Sequence, residues 1–167
     1  MAVLAVLTSV CAVVVGALAA AVLMLTPRDG EPRSSPSPPP TANGPRCRGA
    51  GCEAESPTRM KCASAPAPLA VRRTATGASV DLRYSAECGT SWARMWGTRV
   101  GDRIEMSATG PAGPRRGVRS AEVRDARDAD AYVHTPMTAV RPGTVVRVCF
   151  RPVAGGEGEC VDGRVAG

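Results

Sequence analysis

The sequence predicts a small, mainly β domain stapled by disulfides, a sandwich or barrel with one short helix, set behind a transmembrane helix and a Pro-rich linker. Three observations predict it: short period-2 apolar segments bounded by turn residues, six cysteines outside the N-terminal apolar run, and a near absence of rings. Among 167 residues the aromatic side chains are Tyr84, Trp92, Trp96, Tyr132 and Phe150. A core of Val, Leu, Ile, Met and Ala therefore has to do without large side chains, and a domain of this size then gains from covalent staples. Once the anchor and linker are set aside, the remaining length supports one core.

Residues Ala2 to Leu25 carry no charged side chain. At a helical rise of about 1.5 Å per residue they span roughly 36 Å, enough for the hydrocarbon layer of a bilayer. The segment 1–25 is expected to be an uncleaved signal-anchor. A cleaved signal peptide is its rival, because Ala17-Leu18-Ala19 offers a small-x-small site, but the apolar run continues beyond it. Orientation is contested. Arg28 and Arg33 follow the run with nothing basic before it, which by the positive-inside rule alone would hold the C-terminal part in the cytoplasm. Six cysteines in one small domain argue for an oxidising compartment instead, and this second signal is given the greater weight. The expected location is the bacterial cell membrane, single-pass, with the domain on the extracytoplasmic side and the lipid bilayer as its first partner.

Residues 26–46 contain seven prolines and no large apolar side chain, so they cannot pack. Such a segment favours extended polyproline at about 3.1 Å per residue, a semi-rigid spacer reaching up to roughly 65 Å. The domain is expected over 47–167. Within it Val80, Leu82 and Tyr84 alternate with Asp81 and Arg83, and Ile104, Met106 and Ala108 alternate with Arg103, Glu105 and Ser107, the pattern of half-buried strands. A strand is expected near 131–135, and another over 144–150 after the turn signal Arg141-Pro142-Gly143. Residues 109–114 must be a loop, given their Gly and Pro spacing. Cys88, Trp92 and Trp96 recur every four residues, which predicts one face of a short helix over 87–96.

Cys47, Cys52, Cys62, Cys88, Cys149 and Cys160 are expected to form three disulfides, with Cys11 a small hydrophobe in the apolar run. The favoured pairing is Cys47 with Cys52, Cys62 with Cys88, and Cys149 with Cys160. The last is the best supported, because Pro152 and Gly155-Gly156 suit a returning hairpin; the partners in the first two could be exchanged. A zinc site is the rival reading, in an intracellular domain. The intervals between these cysteines lack the two-residue knuckles common in zinc modules, so no metal or other cofactor is expected.

The net charge of +6 favours anionic surroundings such as headgroups, an anionic cell-wall polymer or an envelope protein. Arginines and carboxylates are interspersed, and no nucleic-acid reading motif occurs, so nucleic acid is not an expected partner. Arg94, Trp96 and Arg99 are the ligand-binding candidates, because a flat cation beside a ring suits a carbohydrate or an anionic polymer. Arg94 could instead pair with Glu87 or Asp102 at the surface. His134 is the single histidine. It lacks a nucleophile-elbow pattern or a matched Ser or Cys motif, so it reads as part of a strand and no catalytic residue is expected. The enzymatic alternative is an exported hydrolase using His134 with a serine such as Ser85.

The run Arg83-Tyr84-Ser85, followed by Cys88 and Trp92-Ala93-Arg94, resembles an uncharacterised bacterial family, domain of unknown function 2690. The resemblance reaches back to Cys47, Cys52 and Cys62 and forward to 132–137 and Cys149. It implies no established activity. Similar domains often follow a cytoplasmic helix-turn-helix module and a membrane span, which implies an outward-facing partner of a DNA-binding protein; here the apolar run follows Met1 directly. The expected function is a non-enzymatic, membrane-anchored binding or structural module of the cell envelope.

Overall fold

Alternating side chains put one face of each strand into a core, and the strands pair as that pattern requires. A computed structural model of the chain describes residues 44–111 and 117–166. The expected anchor over 1–25, and the linker over 26–46 except for its last three residues, lie outside the described residues. No helix among the described residues is long and apolar enough to cross a membrane. In chain order the elements are β1 (Ala67–Arg73), β2 (Ser79–Ser85), β3 (Thr90–Trp96), β4 (Arg103–Thr109), β5 (Arg119–Glu122), α1 (Ala126–Ala129), β6 (Val133–His134), β7 (Thr138–Ala139), β8 (Val145–Arg151) and β9 (Glu159–Arg164).

They form two antiparallel sheets. One has the order β1-β2-β3-β6, with β7 also on β3, and the other the order β5-β4-β8-β9. Val80, Leu82, Ala93 and Met95 from the first meet Ile104, Met106, Ala108, Val146, Val148 and Phe150 from the second in one core. The expected β class is present, built as antiparallel sheets, and the short α-helix among the described residues is α1, away from the segment where the sequence placed one. Asp125 caps it, accepting the Asp128 N–H at 2.9 Å, and it buries none of its residues.

The helix expected over 87–96 is a correction. A spacing of four is a multiple of the strand period as well as close to a helical turn, so Trp92 and Trp96 share a face of β3 just as well. The deciding pattern is the interleaved set Ser91, Ala93 and Met95, all buried, which supplies the core face of a strand.

β1 carries Pro68 beside a register shift between Pro68 and Ala70. Proline is tolerated on such an edge strand because it has no N–H to offer the ladder. Leu69, at the shift, approaches β9 so closely that a Cβ placed on Gly163 would lie 2.7 Å from the Leu69 Cβ. The edges of the two sheets meet there because Gly163 has no side chain.

The face of the first sheet that alternation marks as polar is partly covered. The segment 47–63 folds over it through Cys47–Cys52 and Cys62–Cys88, whose Cys47 and Cys62 sulfurs are 3.9 Å apart. Cys52, Cys62, Cys88, Trp92 and Met137 form a second, smaller core there. Cys149–Cys160 joins β8 to β9 at a directly opposed pair of positions.

Candidate functional site

Register determines which polar residues this face presents. Asp81 on β2 opposes Arg94 on β3, and Arg94 opposes His134 on β6, so the three share one face in a row across three strands. Arg83 and Trp92 form the next opposed pair. The segment 57–66 rises beside them, and the space between is a cleft of about 500 Å³. Arg83, Trp92, Arg94, Tyr132 and His134 line it on the strand side, with Pro57, Ser64 and Pro66 among the residues opposite.

Asp81 holds the cations in place. Its carboxylate is 3% exposed as a residue, which is tolerable only because it is paired. The Arg94 Nε donates to Oδ1 at 3.0 Å and to Oδ2 at 3.1 Å, and the Arg83 Nε lies 3.0 Å from Oδ2. Arg83 also donates from Nη1 to the Pro66 carbonyl at 3.2 Å, tying the strand to the far wall. One carboxylate thus serves two guanidiniums, leaving a surplus of one positive charge.

Two rings fix the plane of Arg94. Its guanidinium carbon lies 4.4 Å from the Tyr132 ring centroid and 5.4 Å from that of Trp96, and the rings themselves are 5.5 Å apart. A guanidinium beside an aromatic face gains electrostatically while its edge stays available for hydrogen bonds. Since Nε is spent on Asp81, the two terminal amino groups remain, and they have no acceptor among the described residues.

Of the ligand candidates read from the sequence, Arg94 and Trp96 are brought together and Arg99 is not. Arg99 is exposed and contributes its backbone N–H to the Asp102 carboxylate at 2.8 Å. Arg94 pairs with Asp81 rather than with Glu87 or Asp102. The structure does not join Ser85 to His134. Ser85 opposes Thr90, four positions along β3 from Arg94 and two strands from His134, a separation of roughly 16 Å from strand spacing and rise. Its hydroxyl oxygen accepts the Cys88 N–H at 3.2 Å. The Cys47, Cys52 and Cys62 sulfurs lie within 4.8 Å of one another, as metal ligands could. Paired as cystines, they have no thiolate to give a metal.

Glu53 is a residue that sequence reasoning missed. It accepts the Thr138 hydroxyl at 3.0 Å and the Ala139 N–H at 2.8 Å, and it pairs with Arg119, which fastens the disulfide-rich segment to β5 and β7. Burial alone would raise its pKa, but the Ala139 N–H, Arg119 and Thr138 outweigh that and hold the carboxyl below its ordinary value.

The fold and the cleft define a disulfide-stapled β domain of two sheets with a cation-lined recess on one outer face. The chain belongs to the family described as protein of unknown function (DUF2690), which matches residues 50–149, more than half of it. Neither a curated protein nor a solved structure matches the chain.

Proposed function

We propose that this protein is a membrane-anchored, extracytoplasmic binding module of the bacterial cell envelope, and that the cleft around Arg94 is where it meets its ligand. The observation that carries the reading is the state of Arg94. It is oriented by a buried carboxylate and two rings, yet its terminal amino groups, beside a cleft, meet no acceptor among the described residues. A guanidinium that served only to neutralise Asp81 would need neither the rings nor the recess. Pre-orienting a cation in this way lowers the entropy lost on binding and is the economy of a recognition site.

The compartment rests on a separate support. Three cystines suit an oxidising environment, and the uncharged run before the linker suits an anchor that leads there. The linker would then hold the cleft away from the headgroups.

Intact-cell protease accessibility combined with thiol counting tests the reading. The domain is expected to be cleaved from outside without permeabilisation, with no free thiol among its six cysteines. Protection from external protease together with free or zinc-bound thiols would overturn it in favour of an intracellular metal domain.

A further inference from the structure

The recess has three chemically distinct walls, and together they narrow what can fill it. Arg94 offers a terminal fork of two amino groups, a geometry that matches the paired oxygens of a carboxylate or phosphate. Arg83 stands on the other side of the shared Asp81, so the recess carries one uncompensated positive charge. Tyr132, 56% exposed, presents a broad ring at the mouth. Opposite it the lining mixes Thr58 and Ser64 with Pro57 and Pro66, and the Thr58 hydroxyl is hydrogen-bonded to that of Ser56 at 3.0 Å.

A purely apolar ligand would leave the Arg94 fork unpaired as it was desolvated, which costs more than the apolar contacts return. A bare inorganic anion would satisfy the fork but leave most of a 500 Å³ recess empty. A ligand with an anionic group on a body that is apolar on its faces and hydroxylated at its edge satisfies all three walls. A pyranose has that form, since its C–H face can lie on the Tyr132 ring while its hydroxyls meet Thr58 and Ser64.

We infer that the cleft binds a sugar unit bearing a carboxylate or a phosphate, as it would occur in an anionic envelope glycan, with the anion on the Arg94 fork and the ring on Tyr132. This rests on the reading of the cleft as a recognition site and adds the class of ligand. Arg94 contributes the bidentate contact, Arg83 the supporting charge, and Asp81 the orientation of both.

The test uses the full oxidised chain in detergent. Trp96 sits against both Arg94 and Tyr132 and reports on the site by intrinsic fluorescence, with calorimetry as the second measure. Glucuronate, glucose 6-phosphate, glucose, acetate and inorganic phosphate are titrated in parallel. Binding by glucuronate or glucose 6-phosphate at millimolar concentration, at least about tenfold stronger than by glucose and by the simple anions, is the expected result. Whichever of the two binds more tightly identifies the anion as carboxylate or phosphate. Equal binding by glucose would overturn the anionic requirement, and equal binding by acetate or phosphate would overturn the sugar.

Arg94→Lys keeps a cation for Asp81 but loses the fork, and is expected to weaken the acidic sugar by about tenfold. Arg99→Gln, outside the cleft, is expected to leave binding as it was. If none of the five compounds binds while intact-cell protease still reaches the domain, the ligand class fails and the extracytoplasmic reading stands.

Discussion

Asp81 and Arg94 face each other across β2 and β3, with the Arg94 Nε 3.0 Å from one carboxylate oxygen and 3.1 Å from the other. The carboxylate is nearly inaccessible, while the two arginines it holds are partly exposed, so the two sides of this cluster respond differently to substitution. Asp81→Asn removes the charge that holds both guanidiniums, but each can turn toward water. Its expected cost is about 2 to 3 kcal/mol, below the usual figure for breaking a fully buried pair because of that escape. Arg94→Lys keeps a partner for the carboxylate and should cost less. Urea unfolding of both variants checks the order, and equal loss in the two would show that Asp81 is not the keystone.

Glu53 gives the fold a dependence on acid. Its carboxyl is held below the ordinary value of 4.5, so the folded chain releases that proton more readily than the unfolded chain does. The resulting stability is complete above the ordinary carboxylate range and is lost as pH falls through the lower, folded value. Glu53→Gln lacks this increment at every pH. The urea midpoints of wild type and variant should therefore lie apart at neutral pH and converge on acidification. A constant gap down to strong acid would contradict the assignment.

Much of the sheet structure was legible because the core face of a strand is written in consecutive alternation. Val80, Leu82 and Tyr84 and the set Ile104, Met106 and Ala108 could be read directly, as could the turn that brings Cys149 back to Cys160. β1 could not, since an exposed edge strand with a proline has no apolar stripe to display. β3 is ambiguous in sequence because Cys88, Trp92 and Trp96 fit two periods, and only the residues between them, Ser91, Ala93 and Met95, break the tie.

The site was less legible. Arg94 and Trp96 stand out in sequence as a cation beside a ring, but Tyr132 and His134 reach them only through the pairing of β3 with β6, which no local pattern encodes. Asp81 looked like a solvent-facing residue, and alternation does place it on the outer face. What it cannot reveal is that Cys47–Cys52 and Cys62–Cys88 fold a second layer onto part of that face. Glu53 was missed for the same reason, as its partners Arg119, Thr138 and Ala139 are all distant in sequence.

The disulfides should differ in what their loss costs. Cys62–Cys88 closes an interval of 26 residues and packs into the small core with Trp92 and Met137. Cys149–Cys160 closes 11 between strands that the ladder already holds in register. Loop-closure entropy predicts roughly 3 to 4 kcal/mol for the first and about 2 to 3 for the second, and lost packing widens the difference. Replacing each pair by serines and comparing chemical unfolding measures it. The Cys62/Cys88 variant should also show altered tryptophan fluorescence, since its sulfurs lie in the cluster that buries Trp92.

Gly163 is required by space rather than by backbone conformation. An added Cβ would stand 2.7 Å from the Leu69 Cβ and 3.2 Å from its carbonyl carbon, and neither atom can rotate away. Gly163→Ala must therefore push β1 from β9, with an expected loss of about 1 to 3 kcal/mol, the range of an overpacked core. Because the clash is with Leu69 itself, the two positions should be coupled. In a double-mutant cycle, Leu69→Gly is expected to be much less harmful in the Gly163→Ala background than in wild type. Strict additivity would mean that the sheet edges yield without cost and that the contact does not hold the two layers together.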